Sequence, residues 1–520
     1  MPAITTFRRA GGLAALAALT LILAACSSSA SSSSSGSSSP ASAAGGGTYN
    51  IGLITPSSGI NPLTTTQYDT MFAVGLASAQ LVNVNATGQL KPQLASSWTQ
   101  AADKLSWTFT LRPGLKFSNG DPLTATDVVS TFDDILSPNS QSPAASSFTG
   151  ILKSVSGSGT SVVFHLDAPY DDFPYLLSGA NTWILPAGTN AANWINDPVG
   201  AGQFVLEKYT PGQGITYKKN PDYWDASAVK LSGIDVTFYS SGQSELLAFQ
   251  SGQIDEFNDL NSDPAAATSL ASYRQERAGF VKFDALTFNV TKAPFNDVAV
   301  RQAVAWALNR AAIAKTVYAG QAVTGNDVAT FPDYAVQPQG LTQRSQNPAE
   351  VKKLLGGRVI SFTITTYTDE QIYAQLIQQE LDATGNFKVT LDVLPEAAYY
   401  ANGSTSPWLA APVTLTDWAE RLPAQLYSLI YVASSGWSAS HYSNTQLGTL
   451  VNQFEASSAA TQRQSLANQI ATIEWTDVPV IIADFEESDV YVGNAVQGTF
   501  PNGLQFSGGF DLRGITVTSS

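Results

Sequence analysis

Strand-like and helix-like runs alternate through almost the whole chain, and that alternation restricts the fold more than any single motif does. The clearest case lies between residues 105 and 136. Leu105, Trp107, Phe109 and Leu111 alternate with Ser106, Thr108, Thr110 and Arg112, the period of a half-buried strand. Pro113-Gly114 predicts a turn, Leu115 and Phe117 the return strand of a hairpin, and Asn119-Gly120-Asp121-Pro122 a second turn. Thr124, three residues before Asp127, predicts a capped helix presenting Val128, Val129, Phe132, Ile135 and Leu136, with Pro138 beyond its end. A longer helix is predicted from about Val298 to Tyr318, capped by Asn296-Asp297 and stopped by Gly320. Shorter helices are predicted near 244–250, 369–383, 445–456 and 461–475, and strands at 233–240, 281–290, 358–367 and 478–485. No internal repeat is visible. Strands and helices mixed in this way predict an α/β fold with several sheets, and 520 residues suffice for two or three domains.

The residues that carry chemistry are sparse. Only two histidines occur, His165 in a strand-like run and His441, and neither sits in a catalytic motif. The folded part contains no G-x-S-x-G, and Gly157-Ser-Gly159 and Gly212-Gln-Gly214 each lack the third glycine and following helix of a dinucleotide fingerprint. Two distant histidines and one cysteine make no metal cluster, so neither a catalytic centre nor a cofactor is expected. A net charge of −15 repels nucleic acid and anionic lipid. Hydrophobic content of 44%, with 10% aromatic, is ample for cores and rules out wholesale disorder.

At the N-terminus, Arg8 and Arg9 precede an uncharged apolar stretch from Gly11 to Ala25, followed by Cys26, the single cysteine. Fifteen residues are short for a bilayer span, whereas charge followed by a short apolar core describes an export signal. Leu23-Ala24-Ala25-Cys26 resembles the lipobox of bacterial lipoproteins, which implies cleavage before Cys26 and acylation of its thiol. An ordinary signal peptide ending near Ala25 is the alternative, and Arg8-Arg9 leaves the Sec and twin-arginine routes both open. One cysteine permits no intramolecular disulfide, so stability must come from core burial. The Ser-, Ala- and Gly-rich residues 27–47 read as a flexible tether with a reach of roughly 25 Å. A lipid-anchored, exported protein on the outer face of the cytoplasmic membrane is therefore expected.

Four blocks, in order, resemble the family 5 solute-binding proteins of ABC importers. They are residues 89–129, 197–225 (with Gly200, Gly202, Pro221, Tyr223 and Trp224), 245–257, and 286–320 with Arg301 in its helix. The resemblance covers nearly all of residues 48–515. It implies an α/β, two-lobed, periplasmic-binding-protein-like fold of type II, in the large cluster with an extra small domain in the N-terminal lobe. The implied division is a signal peptide at 1–25 and a lipidated cysteine and linker at 26–47. Lobe I would comprise 48–82, 189–283 and 494–520, an extra subdomain 83–188, and lobe II 284–493, with hinge crossings near 281–288 and 484–494. The implied function is a monomeric, non-enzymatic receptor that closes on a small ligand, most simply an oligopeptide, and delivers it to a membrane permease. The same fold binding an opine, a chelated metal or a sugar stays open, as does a signalling or chaperone lipoprotein.

The family's peptide binders place an aspartate shortly after a Trp to pair with the peptide ammonium. The matching region here is 415–430, which supplies Trp418, Glu420 and Arg421 as ligand-binding candidates. Asp417 competes with Glu420 for the ammonium role, and Arg421 is placed to neutralise a buried carboxylate internally. Trp418 also reads as core packing, and Glu420-Arg421 as a solvated surface pair. Trp437, among glycine and serine neighbours, reads as a stacking surface, and Tyr68 lies where the family lines its cleft.

Overall fold

Tyr49, Ile51 and Leu53 alternate toward the core along the strand Thr48–Ile54, around which half of the main sheet is organised. The computed structural model describes residues 46–56, 59–85, 89–258, 269–318, 320–401, 405–432, 436–498 and 510–518. The signal peptide, Cys26 and the linker up to residue 45 lie outside the described residues. The chain from Gly45 to Ser520 clusters as one compact unit.

Among the described residues a 12-stranded sheet follows the path Phe387–Leu394, Ile360–Tyr367, Val413–Ala419, Arg274–Phe288, Asp484–Val492, Glu256–Asn258, Thr48–Ile54, Gly233–Tyr239, Gly214–Lys219, Phe204–Thr210. Ala322–Thr324 and Val480–Ile482 join it off this path. Thr48–Ile54 runs parallel to Gly233–Tyr239, so a long crossover must connect them. That crossover carries a separate antiparallel sheet ordered Ala95–Gln100, Ser106–Leu111, Ser161–Leu166, Leu152–Ser158.

The two halves of the large sheet meet at one ladder. Arg274–Phe288 pairs with Asp484–Val492 from Arg274↔Val492 to Lys282↔Glu486, with irregularities at Arg277/Gly279 and Phe280/Lys282. From Lys282 onward the long strand gains Val413–Ala419, and from Ala285 Val480–Ile482. A distinct core built on Leu286, Phe288, Val300, Ile364 and Ile481 packs against this far half.

The expected mixed α/β character holds, and three local expectations change. Leu115 and Phe117 are buried but form no return strand. Both edges of Ser106–Leu111 are already occupied, by Ala95–Gln100 and Ser161–Leu166. The segment instead closes on itself through a Lys116–Pro122 bridge and a Phe117 N–H bond to the Asp121 carbonyl at 2.9 Å. The helix after it stands as predicted: Ala125–Leu136 is capped by Thr124, whose backbone N–H donates to Asp127 at 2.7 Å. The predicted helix from 298 to 318 is two helices, Val298–Ala307 and Arg310–Val317. Asn309 breaks it because its side chain caps the second helix through Ala312 N–H, and its own N–H donates to Glu380 at 2.7 Å. The run 478–485 divides likewise into Val480–Ile482 and the start of Asp484–Val492.

A polar seam joins the four-stranded sheet region to the helices Thr445–Glu455 and Ala460–Asp477. Asp171 N–H donates to the Glu455 carbonyl at 2.7 Å, and Lys104 donates to the Ala456 carbonyl at 2.8 Å while pairing with Asp171 at 3.0 Å. Arg463 pairs with Asp172 at 2.6 Å. These are short-range polar bonds that water can replace, unlike the dry cores on either side.

Gly202 shows how tightly the backbone around Ala77 is packed. Its N–H donates to the Ala77 carbonyl, and a Cβ there would lie 2.4 Å from the Ala77 carbonyl carbon and 2.5 Å from Ser78 N. Gly448, inside the helix Thr445–Glu455, has nothing within 4 Å of the equivalent position. In urea unfolding, Gly202→Ala is expected to lose about 1–3 kcal/mol. Gly448→Ala is expected to gain up to about 1 kcal/mol from helix propensity.

Candidate functional site

The strand Val413–Ala419 delivers the site residues of the far half. It pairs with the long strand, Phe283 opposite Trp418, and ends where Glu420 N–H donates to the Val281 carbonyl at 2.8 Å. Pro423 then opens the helix Pro423–Tyr431, so Glu420, Arg421 and Leu422 occupy a short rigid bend between two elements. The Arg421 guanidinium donates to the Ala419 carbonyl at 3.0 Å and lies 5.8 Å from the Trp418 ring and 5.7 Å from the Trp437 ring. The two indoles are 6.0 Å apart, and Trp408 meets Trp437 edge-on at 6.0 Å. The void they line, with Thr287, Thr416 and Ile430, is about 10 Å³, room for one water at most.

Glu420 and Arg421 form no ion pair with each other, or with any other residue among those described. Burial, with Asp333 nearby, pushes the Glu420 carboxyl up to about 8. Burial lowers the Arg421 guanidinium, partly offset by Asp417 and Tyr334. Among the described residues the buried Tyr334 hydroxyl has no hydrogen-bond partner. Asp417, by contrast, is occupied: it accepts from the Tyr367 hydroxyl at 2.7 Å and the Tyr400 hydroxyl at 3.1 Å.

Tyr68 stands elsewhere, at the start of the helix Tyr68–Ala77, and its hydroxyl accepts from Asn258 at 3.1 Å. It lines a second cavity, of about 20 Å³, together with Gly52, Asp69, Glu245, Glu256 and Asn258.

A third group lies on the shared ladder. Lys282 stands 3.2 Å from Glu370, 3.6 Å from Glu486 and 3.7 Å from Asp284. Tyr318 donates to Asp284, and Tyr373 donates to Asp484 at 2.6 Å. Burial alone would lower the Lys282 ammonium, but Asp284, Glu370, Glu486 and Asp417 together hold it well above its usual range. Burial raises the carboxyl of Asp484 to about 7 and those of Asp284, Glu370 and Glu486 upward as well. Among the described residues no three His, Cys, Asp or Glu side chains are placed to hold a metal ion.

Residues 89–440 match the family described as bacterial extracellular solute-binding proteins, family 5 Middle. The chain belongs to that family. Among curated relatives, this family 5 protein is 28% identical over 304 residues to the nickel-binding periplasmic protein of Escherichia coli K12, a match covering 55% of this chain and 56% of that one. It is 25% identical over 463 residues to the oligopeptide-binding protein OppA of Bacillus subtilis 168, covering 77% of this chain and 80% of the relative. Among solved structures it resembles the periplasmic binding protein AgaA with agropinic acid from A. tumefaciens R10, at TM-score 0.75 and 23% identity, covering 91% and 99% of the two chains. At that identity the likeness shows a shared fold: the two-lobed architecture of periplasmic binding proteins.

The Arg421 guanidinium, Trp418 and Trp437 thus come together, with Glu420 next to them in the chain and facing Asp333, and Tyr68 sits in a different cavity. The internal neutralisation of Glu420 by Arg421 does not occur, because Arg421 turns between the indoles and away from its neighbour. Tyr334 and Trp408 escaped the sequence reading, since nothing local distinguishes either from a core aromatic. Lys282 was visible only as part of a strand. Among the described residues it is the single cation in contact with these carboxylates, so Lys282→Gln should cost about 3–5 kcal/mol at pH 8 by leaving buried like charges uncompensated. The loss should shrink at pH 5. The folded-state pKa of these acids lies above the unfolded value, so the fold keeps their protons in that range and the repulsion vanishes. Urea titrations at the two pH values read this difference.

Proposed function

We propose that this family 5 protein is the extracytoplasmic receptor of an ABC importer, that acylated Cys26 tethers it to the membrane, and that it closes on a short peptide. The supporting observation is the pairless Glu420–Arg421 bend between Trp418 and Trp437. A carboxyl and a guanidinium that are largely buried, adjacent and in no ion pair among the described residues suit a ligand carrying both an ammonium and a carboxylate. The indoles give the apolar walls that exclude water and strengthen those contacts. OppA, similar along most of the chain, is named for oligopeptide binding, which fits this choice over the chelate and opine alternatives.

The void beside the indoles, about 10 Å³ and lined by residues of the second lobe alone, does not hold a peptide; in this reading the peptide binds between the lobes, which part to admit it. The lobes are taken as 48–82, 189–283 and 494–520 for the first, with 83–188 as its extra subdomain, and 284–493 for the second. The ladder between Arg274–Phe288 and Asp484–Val492 is the hinge in this reading, and the seam at Asp171, Asp172, Lys104 and Arg463 opens and closes. Ligand shifts that equilibrium only by its preference for the closed form.

Thermal unfolding of the full chain tests the ligand class. At 100 times its dissociation constant, trialanine should stabilise the protein by about 2.7 kcal/mol. Glu420→Gln and Arg421→Gln should each weaken trialanine binding about tenfold or more. Stabilisation by histidine-chelated nickel or an oligosaccharide, with none by trialanine, would overturn the peptide assignment. For the tether, Cys26→Ser should move the protein from the membrane to the soluble fraction; unchanged membrane association contradicts it.

A further inference from the structure

The cavity containing Tyr68 has a chemistry of its own. It lies at the C-terminal ends of the parallel strands Thr48–Ile54 and Glu256–Asn258, beside the first turns of the helices Tyr68–Ala77 and Gly242–Gln250. Three carboxylates meet there. Asp69 accepts from Ile54 N–H at 2.8 Å, and Glu256 accepts from the Tyr49 hydroxyl at 2.5 Å. Glu245 is only 6% exposed, lines the cavity, and receives no hydrogen bond from any described residue. Room for it exists because residue 52 is glycine: a Cβ there would come within 2.7 Å of the Glu245 side chain.

No lysine or arginine among the described residues offsets these charges. The groups acting on Glu245 are Asp69 and Glu256; Glu256 faces Asp255 and Tyr49 besides, and Tyr239 and Tyr68 feel Glu245 in turn. Burying an acid without a cation is costly, and three in one place is more so. The carboxylates are not placed to ligate one metal ion. A void of about 20 Å³ holds roughly one water, which matches an ammonium head and is too small for a guanidinium.

We propose that this cavity is an ammonium-binding subsite for the imported solute, with Glu245 as its charge partner and Asp69 and the Tyr68 hydroxyl as further acceptors. It rests on the reading of the protein as a peptide receptor, and it specifies a lysine-like side chain in the ligand. Burial holds the Glu245 carboxyl up at about 8, so an arriving ammonium expels a proton at pH 7.

Calorimetry on the full chain with Ala-Lys-Ala and its norleucine counterpart, alike in chain length but lacking the ammonium, tests this. The lysine peptide should bind at least about tenfold more tightly, with proton release detected by comparing two buffers of different ionisation enthalpy. Glu245→Gln should abolish both the preference and the extra proton release that the lysine peptide shows over the norleucine peptide, with the norleucine peptide still bound. If both peptides bind equally to the unaltered protein, the subsite is wrong and the peptide assignment stands. If neither binds, the peptide assignment fails, and n-butylammonium chloride decides the subsite. A melting-temperature rise over sodium chloride at equal ionic strength, lost in Glu245→Gln, supports it; no difference overturns it.

Discussion

Two antiparallel strands hold the halves of this protein's large sheet together, and their ladder is the constraint on which the architecture depends. Arg274–Phe288 and Asp484–Val492 exchange backbone bonds with each other, and each then turns to partners of its own. The two register irregularities fall inside the shared part. Bulges concentrate twist and bending at defined points of a ladder, and the proposed closure places its hinge there. Lys282 sits at the end of the shared pairing, and its contact to Glu486 on the opposite strand ties the ladder electrostatically as well.

Some acids of the molecule have close partners: Asp327 receives Arg310 and Arg344, and Asp417 receives two tyrosine hydroxyls. Among the described residues Glu420, Glu245 and Glu474 have no such partner, and burial pushes all three carboxyls up to about 8. In the proposed reading Glu420 and Glu245 keep their protons in the empty protein and release them to solvent as a ligand ammonium binds, so part of the specificity comes from buried acids left unpaired until then.

Much of this was legible in the sequence, and the exceptions have physical reasons. The cap at Thr124 and the helix it opens depend on residues three apart, so local pattern sufficed. The return strand at Leu115–Phe117 failed because alternation reports burial, whereas pairing depends on which edges are free. Those edges were taken by residues 95–100 and 161–166. The break at Asn309 was hidden because apolar spacing continues across it while a side-chain cap interrupts the backbone. Trp418, Glu420 and Arg421 were found through family resemblance and proximity in the chain. Glu245 and Glu256 were read only as members of a matching block, since their convergence with Asp69 needs a fold that joins positions nearly 190 residues apart.

Movement of the two halves about the shared ladder is the central claim, and an interspin distance measures it directly. In a Cys26→Ser background, spin labels at the exposed positions Asp103→Cys and Ser458→Cys flank the polar seam. Pulsed electron resonance without ligand should give a broad distribution extending to long distances, collapsing to one short distance with saturating Ala-Lys-Ala. An identical distribution with and without peptide, under conditions where calorimetry shows the peptide bound, would contradict the account.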